Sequence, residues 1–357
     1  MYNTQNNYYC VIMAGGLGTR FWPISKKAMP KQFLDPNGSG SSLLRQTYDR
    51  MARLIKAENI IVSTLREYHD IVKEQIPEIP EENILLEIYN RNTAPCITFA
   101  ANAILQREPK AVMVACPADH LIENNDDFEN AIKKALEYAE QNDELITLGI
   151  MPTRADVNFG YIQVAGGSKA IARGEVTKVK TFTEKPSKEI AELFINSGEF
   201  LWNSGIFVWK ASLILEEIKT YAPQISDLWQ GSSELEKFYG DCPRVSIDYA
   251  VMENTERASV IPARFKWADM GNWNSLFELL PKDQDGNAAK NCSHRLFKDD
   301  SGLLCIQQDK GKLVAVKGLK DYMIIDTPDA LLICPREDSQ IQDLLSELAM
   351  PQYEEYR

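Results

Sequence analysis

Residues 10–34 read CVIMAGGLGTRFWPISKKAMPKQFL, and this stretch decides the fold. It begins inside an uninterrupted apolar run from Tyr9 to Ala14, which has the length and β-branched content of a strand covered on both faces. Three glycines, Gly15, Gly16 and Gly18, follow at once. Because glycine lacks a Cβ and accepts positive φ, such a turn lets backbone N–H groups crowd against an anion. The stretch therefore predicts a buried strand that ends at an anion-binding loop.

Two cationic side chains lie in the same stretch. Arg20 adds a forked guanidinium, and Lys31, directly after Pro30, adds an ammonium that can reach back to the loop. A dinucleotide-binding turn needs a third glycine in G-x-G-x-x-G and a Walker A loop ends in Lys-Ser/Thr, and this loop has neither feature. The glycines alone are more typical of a tight turn that binds nothing. With the two cations and the prolines, the stretch favours a polyphosphate site.

Length and composition are those of an ordinary soluble protein. A chain of 357 residues, 44% hydrophobic and 25% charged, suits a large α/β domain plus a smaller one. Its net charge of −12 disfavours nucleic-acid binding, so an anionic substrate needs a local basic pocket. The seven cysteines form no C-x-x-C pair, the N-terminus has no leader pattern, and no apolar run approaches the ~20 residues of a membrane span. We expect a reduced, cytoplasmic protein without structural zinc or membrane contact.

Short apolar strands alternate with helical patterns over the first half of the chain. This alternation predicts a mostly parallel, doubly wound α/β sheet with ligands at the carboxyl ends of its strands. Beyond Gly149 we expect longer strands joined by tight turns. The predicted strands are 59–64, 83–88, 111–116, 145–150, 159–164 and 175–183, and the predicted helices are 66–75, 94–107 and 128–141.

A polar segment, DQDGNAAK at residues 283–290, is rich in turn formers and suggests a domain boundary. The prediction is one domain over residues 1–285 and a second over residues 286–357. Evenly spaced short strands and a final helix at about 339–348 make the second a small β domain. Those strands are 303–307, 313–316, 322–325 and 331–334.

The pattern G-G-x-G-T-R-x-x-P, completed by Pro30-Lys31, resembles the signature of the sugar nucleotidyltransferase family. The stretch is most similar to the guanylyltransferase branch, whose members make GDP-mannose and pyrophosphate from GTP and mannose 1-phosphate. The resemblance implies a Rossmann-like mixed sheet with a C-terminal module like a left-handed β-helix. Further motifs follow in family order: RNTAP at 91–95, PADH at 117–120, FTEKP at 182–186, WNSGIF at 202–207 and WADMGNW at 267–273.

The resemblance implies a nucleotide-binding set and three catalytic residues. Glu87 would read the donor face of guanine, which a carboxylate can accept. From the residues alone, Asn92 or Thr93 caps a helix that has Pro95 in its first turn. The implied nucleotide-binding residues are Gly15, Gly16, Gly18, Thr19, Arg20, Glu87, Asn92, Thr93 and Asp119, and the implied catalytic residues are Arg20, Lys31 and Lys185.

Two aspartates are the expected ligands of Mg²⁺. Asp119 closes the fourth strand, and a carboxylate there suits an ion that prefers one or two protein oxygens plus phosphate oxygens and water. Alternatively, Asp119 caps a helix or a turn. The resemblance implies that Asp119 and Asp269 bind the metal; His120 has no assigned role.

The sugar-phosphate site is implied by the later motifs. Lys185 would bind the sugar phosphate, and the carboxylates and the amide would bind hydroxyl groups. Alternatively, Glu184 and Lys185 form a solvated strand end, and Asp248 belongs to a structural network. The implied residues are Gly160, Glu184, Lys185, Asn203 and Asp248.

The reaction that these motifs indicate is in-line attack of the sugar phosphate on the α-phosphorus of GTP. An ionised phosphate oxygen needs no general base, so positioning and charge neutralisation supply the catalysis. Two alternatives stay open: another pair of NTP and sugar 1-phosphate, and a non-catalytic subunit that senses a nucleotide sugar. The expected assembly is a homodimer, although the sequence does not determine the oligomeric state.

Overall fold

The computed structural model describes residues 7–16, 18, 21–308 and 311–356. Packing divides the chain into two compact units. The first unit comprises Met1–Gly16 and Leu44–Trp267, and the second comprises Leu17–Leu43 and Ala268–Arg357. The domain boundary at residues 285–286 rests on composition and stays a prediction.

The first unit is built on a nine-stranded mixed sheet. Its order is β3-β2-β1-β4-β9-β6-β10-β8-β7, with β7 also paired to β9. The neighbours β3, β2, β1 and β4 are parallel, whereas β9 runs antiparallel to both β4 and β6. The sheet is therefore mixed, because β8 and β9 run in the direction opposite to the other strands. The strands are β1 (Tyr8–Met13), β2 (Ile60–Leu65), β3 (Ile84–Glu87), β4 (Val112–Pro117), β5 (His120–Glu123, outside the sheet), β6 (Leu145–Ile150), β7 (Tyr161–Val164), β8 (Thr177–Thr183), β9 (Phe200–Lys210) and β10 (Ala258–Ala263).

Helices cover both faces of this sheet, as the buried strands require. The final helix is followed by a π-helical turn, Asp248–Met252. The helices are α1 (Leu43–Ala52), α2 (His69–Gln75), α3 (Thr93–Arg107), α4 (Asn125–Gln141), α5 (Gly167–Arg173), α6 (Lys188–Ser197), α7 (Ala211–Tyr221), α8 (Pro223–Ser226) and α9 (Leu235–Asp241).

Two of these helices correct the expectation of tight turns after residue 149. Helix α5 lies between β7 and β8, and α6 lies between β8 and β9. Helix α6 begins after Ser187, whose hydroxyl accepts from the backbone N–H of Ile190, and ends at Gly198 with positive φ. These are ordinary cap and stop signals. The helices are short and largely exposed.

The second unit carries the C-terminal strands in two small sheets. One has the order β12-β14-β16-β17 and the other pairs β13 with β15, so the chain alternates between them. Parallel pairing of β12, β14 and β16 and a core of Cys292, Leu303, Cys305 and Ile324 give a coiled, β-helix-like arrangement. The remaining elements are β11 (Lys266–Asp269), β12 (Ala288–Lys290), β13 (His294–Lys298), β14 (Leu304–Gln307), β15 (Leu313–Lys317), β16 (Tyr322–Asp326), β17 (Leu331–Pro335), α10 (Trp273–Leu279) and α11 (Asp338–Glu347).

Helix α10 holds the segment after the glycine turn in place. The Phe21 and Trp273 rings lie 4.7 Å apart between centroids, and Trp273 Nε1 donates to the Trp22 carbonyl at 3.1 Å. Asn272 caps this helix by accepting from the Ser275 N–H at 2.9 Å. These contacts hold two distant stretches of sequence together, because a pair of aromatic rings buries a large apolar area and prefers specific ring arrangements.

All seven cysteines are free and buried, in agreement with thiols that serve as small core residues. Within the described ranges, no helix combines the length and the apolar character that crossing a membrane requires.

Candidate active site

Three predicted residues lie at one edge of the sheet in the first unit. Gly15 follows β1, Glu87 ends β3 and Asp119 follows β4. Since these strands run parallel, their carboxyl ends meet at the same edge, where α/β proteins bind ligands.

The described part of the glycine turn after β1 begins at a fixed backbone position. The Gly15 carbonyl accepts from Asn90 Nδ2 at 2.6 Å, which fixes the start of the turn. A Cβ placed on Gly16 would meet no heavy atom of the described residues within 4 Å. Thr19 and Arg20 lie outside the described residues, so their assigned roles stay predictions.

Glu87 is a buried carboxylate. It is 4% exposed, and Ser63 Oγ donates to its Oε1 at 3.0 Å. Burial raises the pKa of Glu87, while the neighbouring Cys96, Ser63 and Tyr239 side chains act in the opposite direction. Sequence reasoning missed Ser63 and Tyr239, because neither stands in a recognisable motif. The carboxylate is therefore buried and oriented by a neighbouring hydroxyl group.

Asn92 and Thr93 begin helix α3, as the capping interpretation predicts. Asn92 is the cap, with a φ of 70°, and its Oδ1 accepts from the Thr93 N–H at 2.8 Å. Thr93 Oγ1 accepts from the backbone N–H of Ile247 at 2.8 Å. Both side chains therefore have structural tasks, and their nucleotide role stays a prediction.

Asp119 lies beside a histidine whose orientation is fixed. Asp119 Oδ1 is 3.9 Å from His120 Nε2, and Trp267 Nε1 lies 3.2 Å from His120 Nδ1. Indole N–H can only donate, so Nδ1 must accept and a neutral His120 carries its proton on Nε2. That proton faces the side of Asp119. Sequence reasoning missed Trp267 as a partner of His120.

Within the second unit, the structure brings together Gly18, Lys31 and Asp269. Gly18 has a φ of +61°, and a Cβ there would be 2.7 Å from Lys31 Cγ. Lys31 can therefore pack against the turn only because residue 18 is glycine. Its Nζ donates to the Met270 carbonyl at 2.9 Å and lies 3.8 Å from Asp269 Oδ1.

The first unit also assembles the predicted sugar-phosphate residues. The backbone N–H of Asn203 donates to the Gly160 carbonyl at 2.8 Å, and Asn203 Nδ2 donates to Asp248 Oδ1 at 2.8 Å. Asn203 Oδ1 accepts from Thr147 Oγ1 at 3.2 Å, a partner that sequence reasoning missed. The Asn203 amide is thus oriented by its neighbours.

Lys185 and Glu184 complete this cluster. Lys185 Nζ donates to Glu184 Oε1 at 2.5 Å, and the Glu184 N–H donates to Glu253 Oε1 at 3.0 Å. Burial by itself lowers the pKa of Lys185, but the bond to Glu184 and the nearby carboxylate charges raise it above its usual value. The ammonium stays charged and is half exposed, with a side-chain exposure of 52%.

Asp248 is the group in this cluster with the most perturbed acidity. Burial, followed by the charge of Glu184, raises the pKa of Asp248 to about 6. The cluster therefore combines a cation, carboxylates and an oriented amide in one place. Such a set suits a ligand that carries both an anionic group and hydroxyl groups.

Comparison with known proteins identifies the class. The family model described as nucleotidyl transferase matches residues 9–286, and the chain belongs to this family. A second model, for a MannoseP isomerase/GMP-like beta-helix domain, matches residues 300–348 and agrees with the C-terminal sheets. The resemblance inferred from the motifs, the mixed α/β fold and the assignment as a nucleotidyltransferase enzyme are confirmed.

Particular relatives narrow the class. The chain is 34% identical to mannose-1-phosphate guanylyltransferase of Escherichia coli K12, over 95% of this chain and 72% of the relative. It is 36% identical to mannose-1-phosphate guanylyltransferase of Klebsiella pneumoniae, over 97% of this chain and 75% of the relative. The crystal structure of mannose-1-phosphate geranyltransferase from Thermus thermophilus superposes with a TM-score of 0.85 at 28% identity, covering 96% of this chain and 100% of that one.

Proposed function

We propose that this protein makes GDP-mannose and pyrophosphate from GTP and mannose 1-phosphate. The observation that carries the proposal is the cluster of Gly160, Glu184, Lys185, Asn203 and Asp248, which combines the groups that a sugar phosphate needs. The guanylyltransferase activity named for its relatives at 34% and 36% identity points to the same reaction.

The phosphate and the sugar hydroxyl groups of the ligand bind to different residues of the cluster. Lys185 exchanges its bond with Glu184 for a bond to the phosphate, since a half-exposed ammonium can turn at little cost. Glu184 is then free to accept from a sugar hydroxyl, and Asn203, held by Asp248, can donate to another. The arrangement explains why a glycine stands at 160, beside the Glu184 carboxylate.

The nucleotide binds at the edge formed by the glycine turn and Glu87. Gly15 and Gly16 present backbone N–H groups to phosphate oxygens, and Glu87 accepts from the N–H groups of guanine. Lys31 is assigned to the phosphates of the nucleotide from its sequence motif. Thr19, Arg20, Asn92 and Thr93 are assigned to the nucleotide from the sequence motifs.

A divalent metal ion is general in this family, and we propose Mg²⁺. The donor set fits, because Asp119 is a carboxylate at a strand end with a side chain that is 24% exposed and accessible to an ion. Asp269 is proposed as the second ligand from its motif. When bound, the ion neutralises charge on the phosphates.

The chain's own residues hold the two anions against their repulsion. Lys185 brings positive charge to the sugar phosphate, and Lys31 is assigned to the phosphates of GTP from its motif. No side chain has to remove a proton, because the attacking phosphate oxygen is ionised near neutral pH. Positioning and charge neutralisation account for the acceleration. We further propose that the enzyme is cytoplasmic and homodimeric. Size-exclusion chromatography with light scattering would measure its oligomeric state.

One experiment separates this function from its alternatives. The protein is mixed with mannose 1-phosphate, Mg²⁺ and each NTP in turn, and the products are identified by mass. GDP-mannose from GTP at the highest rate is expected, with glucose 1-phosphate as the matched control sugar. A preferred product with another base or sugar contradicts the proposed specificity. No product from any pair contradicts an enzymatic role and favours a sensor.

A further inference from the structure

Two cysteines of the second unit lie in direct contact, and the proposed reaction does not use them. Cys292 follows β12 in the loop to β13, and Cys305 lies in β14. Their Sγ atoms are 3.2 Å apart, and the residues are 6% and 0% exposed. Both belong to the small core of the C-terminal strands, together with Leu303 and Ile324. The fold thus brings two thiols together that are 13 residues apart in the chain.

Backbone groups hold the Cys292 thiol in place. Its Sγ lies 3.3 Å from the Lys290 carbonyl and 3.4 Å from the Cys305 carbonyl, and these oxygens accept its proton. Asn291 begins the loop with a φ of 59°, and its Nδ2 donates to the Gln307 carbonyl at 3.1 Å. A thiol has a single proton. Cys305 is therefore the donor across the contact between the two sulfur atoms.

The acidity of Cys292 distinguishes it from other buried cysteines. The hydrogen bond from Cys305 lowers the pKa of Cys292 against the effect of burial, and the charge of Arg295 acts in the same direction. Burial raises the pKa of Cys10 and of Cys96. Because the thiolate is the form that reacts with oxidants, Cys292 is the thiol of this pair that reacts first.

We propose that Cys292 and Cys305 are an oxidative modification site, at which hydrogen peroxide generates a reversible disulfide. The Cys292 thiolate attacks one peroxide oxygen, which breaks the O–O bond, leaves a sulfenic acid on Cys292 and releases hydroxide. Cys305 gives its proton to that hydroxide, and its sulfur attacks the Cys292 sulfur, forms the S–S bond and displaces a second hydroxide. That hydroxide takes up the proton that Cys292 had lost. Two thiols thus give two electrons to one peroxide, which becomes two molecules of water.

The step requires only a small movement of the loop. An S–S bond is about 2.05 Å long, so the two sulfur atoms must approach by about 1 Å. Cys292 is not part of a strand, and the residues that follow it, Ser293 and His294, are exposed. The loop can supply this shift and admit an oxidant nearly as small as water. The disulfide ties the loop after β12 to β14, and it forms whether or not the proposed reaction takes place.

The test oxidises the reduced full-length protein with a small molar excess of hydrogen peroxide and stops the reaction with catalase. Free thiols are blocked, and tryptic peptides are mapped by mass before and after reduction with dithiothreitol. Trypsin separates the two cysteines, because it cleaves after Lys290, Arg295, Lys298 and Lys310. We expect a linked pair of peptides, 291–295 and 299–310, that disappears on reduction. Wild-type protein in which both thiols stay free overturns the proposal.

A second pair of thiols is the internal control. Cys10 in β1 and Cys116 in β4 are also buried, with Sγ atoms 3.9 Å apart, but both lie within strands of the covered sheet. We expect no link between them at the peroxide concentration that links Cys292 to Cys305. Equal linking of both pairs overturns the assignment of a specific site, since oxidation would then follow from proximity alone.

Three variants test the order of the reaction, with dimedone present during the oxidation to label sulfenic acid. In Cys305→Ser no second thiol attacks the sulfenic acid, so Cys292 should be labelled. In Cys292→Ser, Cys305 should stay a free, unlabelled thiol. Cys334→Ser, at a buried cysteine of β17 whose pKa is raised by burial, is the matched control and should form the link as the wild type does. Circular dichroism verifies folding. A folded Cys305→Ser variant without label on Cys292 overturns the role of Cys292 as the attacking thiol.

Discussion

Gly160 and Glu184 are in such close contact that a single added methyl group would overlap the carboxylate: a Cβ at residue 160 would clash with Glu184 Oε2. The same Cβ would be 3.3 Å from the Cβ of Asn203, so two sugar-site side chains border one glycine. Glu184 is the partner of Lys185 at 2.5 Å, and its displacement would disturb the proposed phosphate ligand as well.

Gly160→Ala should therefore raise the KM for mannose 1-phosphate by about tenfold, the loss expected for one charge-assisted hydrogen bond. The KM for GTP should stay near its wild-type value. Initial-rate assays of pyrophosphate release, with each substrate varied in turn, measure both constants. Gly240→Ala is the control, because a Cβ at residue 240 meets nothing within 4 Å. Equal sugar KM values for the two variants would remove Gly160 from the site.

Much of the first unit could be predicted from local pattern. Strand β6 has the predicted bounds Leu145–Ile150, and the strands that form the parallel half differ by one or two residues. Each is mostly apolar, as strands covered on both faces are. The antiparallel insertion of β9 between β4 and β6 could not be predicted, because pairing is decided by long-range packing that leaves no local signal.

The residues of the candidate site also divide into those that could be predicted from the sequence and those that could not. Asn203 could be selected as a polar residue inside an apolar run, and Asp248 could be selected from the family resemblance. The structure places Asn203 Nδ2 2.8 Å from Asp248 Oδ1. Ser63 and Trp267 could not be selected. Ser63 supports Glu87, and Trp267 orients His120, through contacts that only the folded chain creates.

Lys31→Ala should lower turnover by roughly 10² to 10³, the usual loss for one electrostatic contributor at a phosphoryl-type transition state. The variant also loses the bond from Nζ to the Met270 carbonyl, so its thermal stability must be measured alongside. Lys27→Ala, an exposed lysine in the same segment, is the control for net charge. Wild-type turnover in Lys31→Ala would end the catalytic assignment of this lysine.

Glu87→Gln should weaken base selection. The buried carboxylate accepts donors, whereas an amide in the same volume presents a donor of its own. The ratio of kcat/KM for GTP over ITP, which lacks the N2 amine, should fall by about tenfold, as for one hydrogen bond to a charged group. Glu82→Gln is the control, since Glu82 is exposed in the turn before β3. An unchanged ratio would show that Glu87 has a structural role only.

Asp119→Asn should raise the Mg²⁺ concentration for half-maximal rate at least about tenfold, because the ion prefers charged oxygen ligands. Chelation with EDTA should abolish activity in the wild type, and added Mg²⁺ should restore it. Asp126→Asn, with a side chain that is 87% exposed at the start of α4, is the matched control. A magnesium requirement that Asp119→Asn leaves unchanged would assign Asp119 to the turn alone.

Asp248→Asn should change the pH dependence of stability in a defined direction. Burial and the charge of Glu184 raise the pKa of Asp248 to about 6, above its unfolded value of 3.8. A carboxyl with a raised folded pKa holds its proton more tightly in the folded state, so its contribution to stability falls as pH rises through this window. Asparagine keeps the acceptor for Asn203 and has no such titration. In the absence of substrate, the Tm difference between variant and wild type should therefore increase in favour of the variant from pH 4.5 to pH 7.5, by about 2–4 °C for each 1 kcal/mol.

Asp241→Asn, at an exposed position, is the control for this measurement and should show no comparable change. A Tm difference for Asp248→Asn that is the same at both pH values would mean that the carboxyl is not held in its protonated form by the fold.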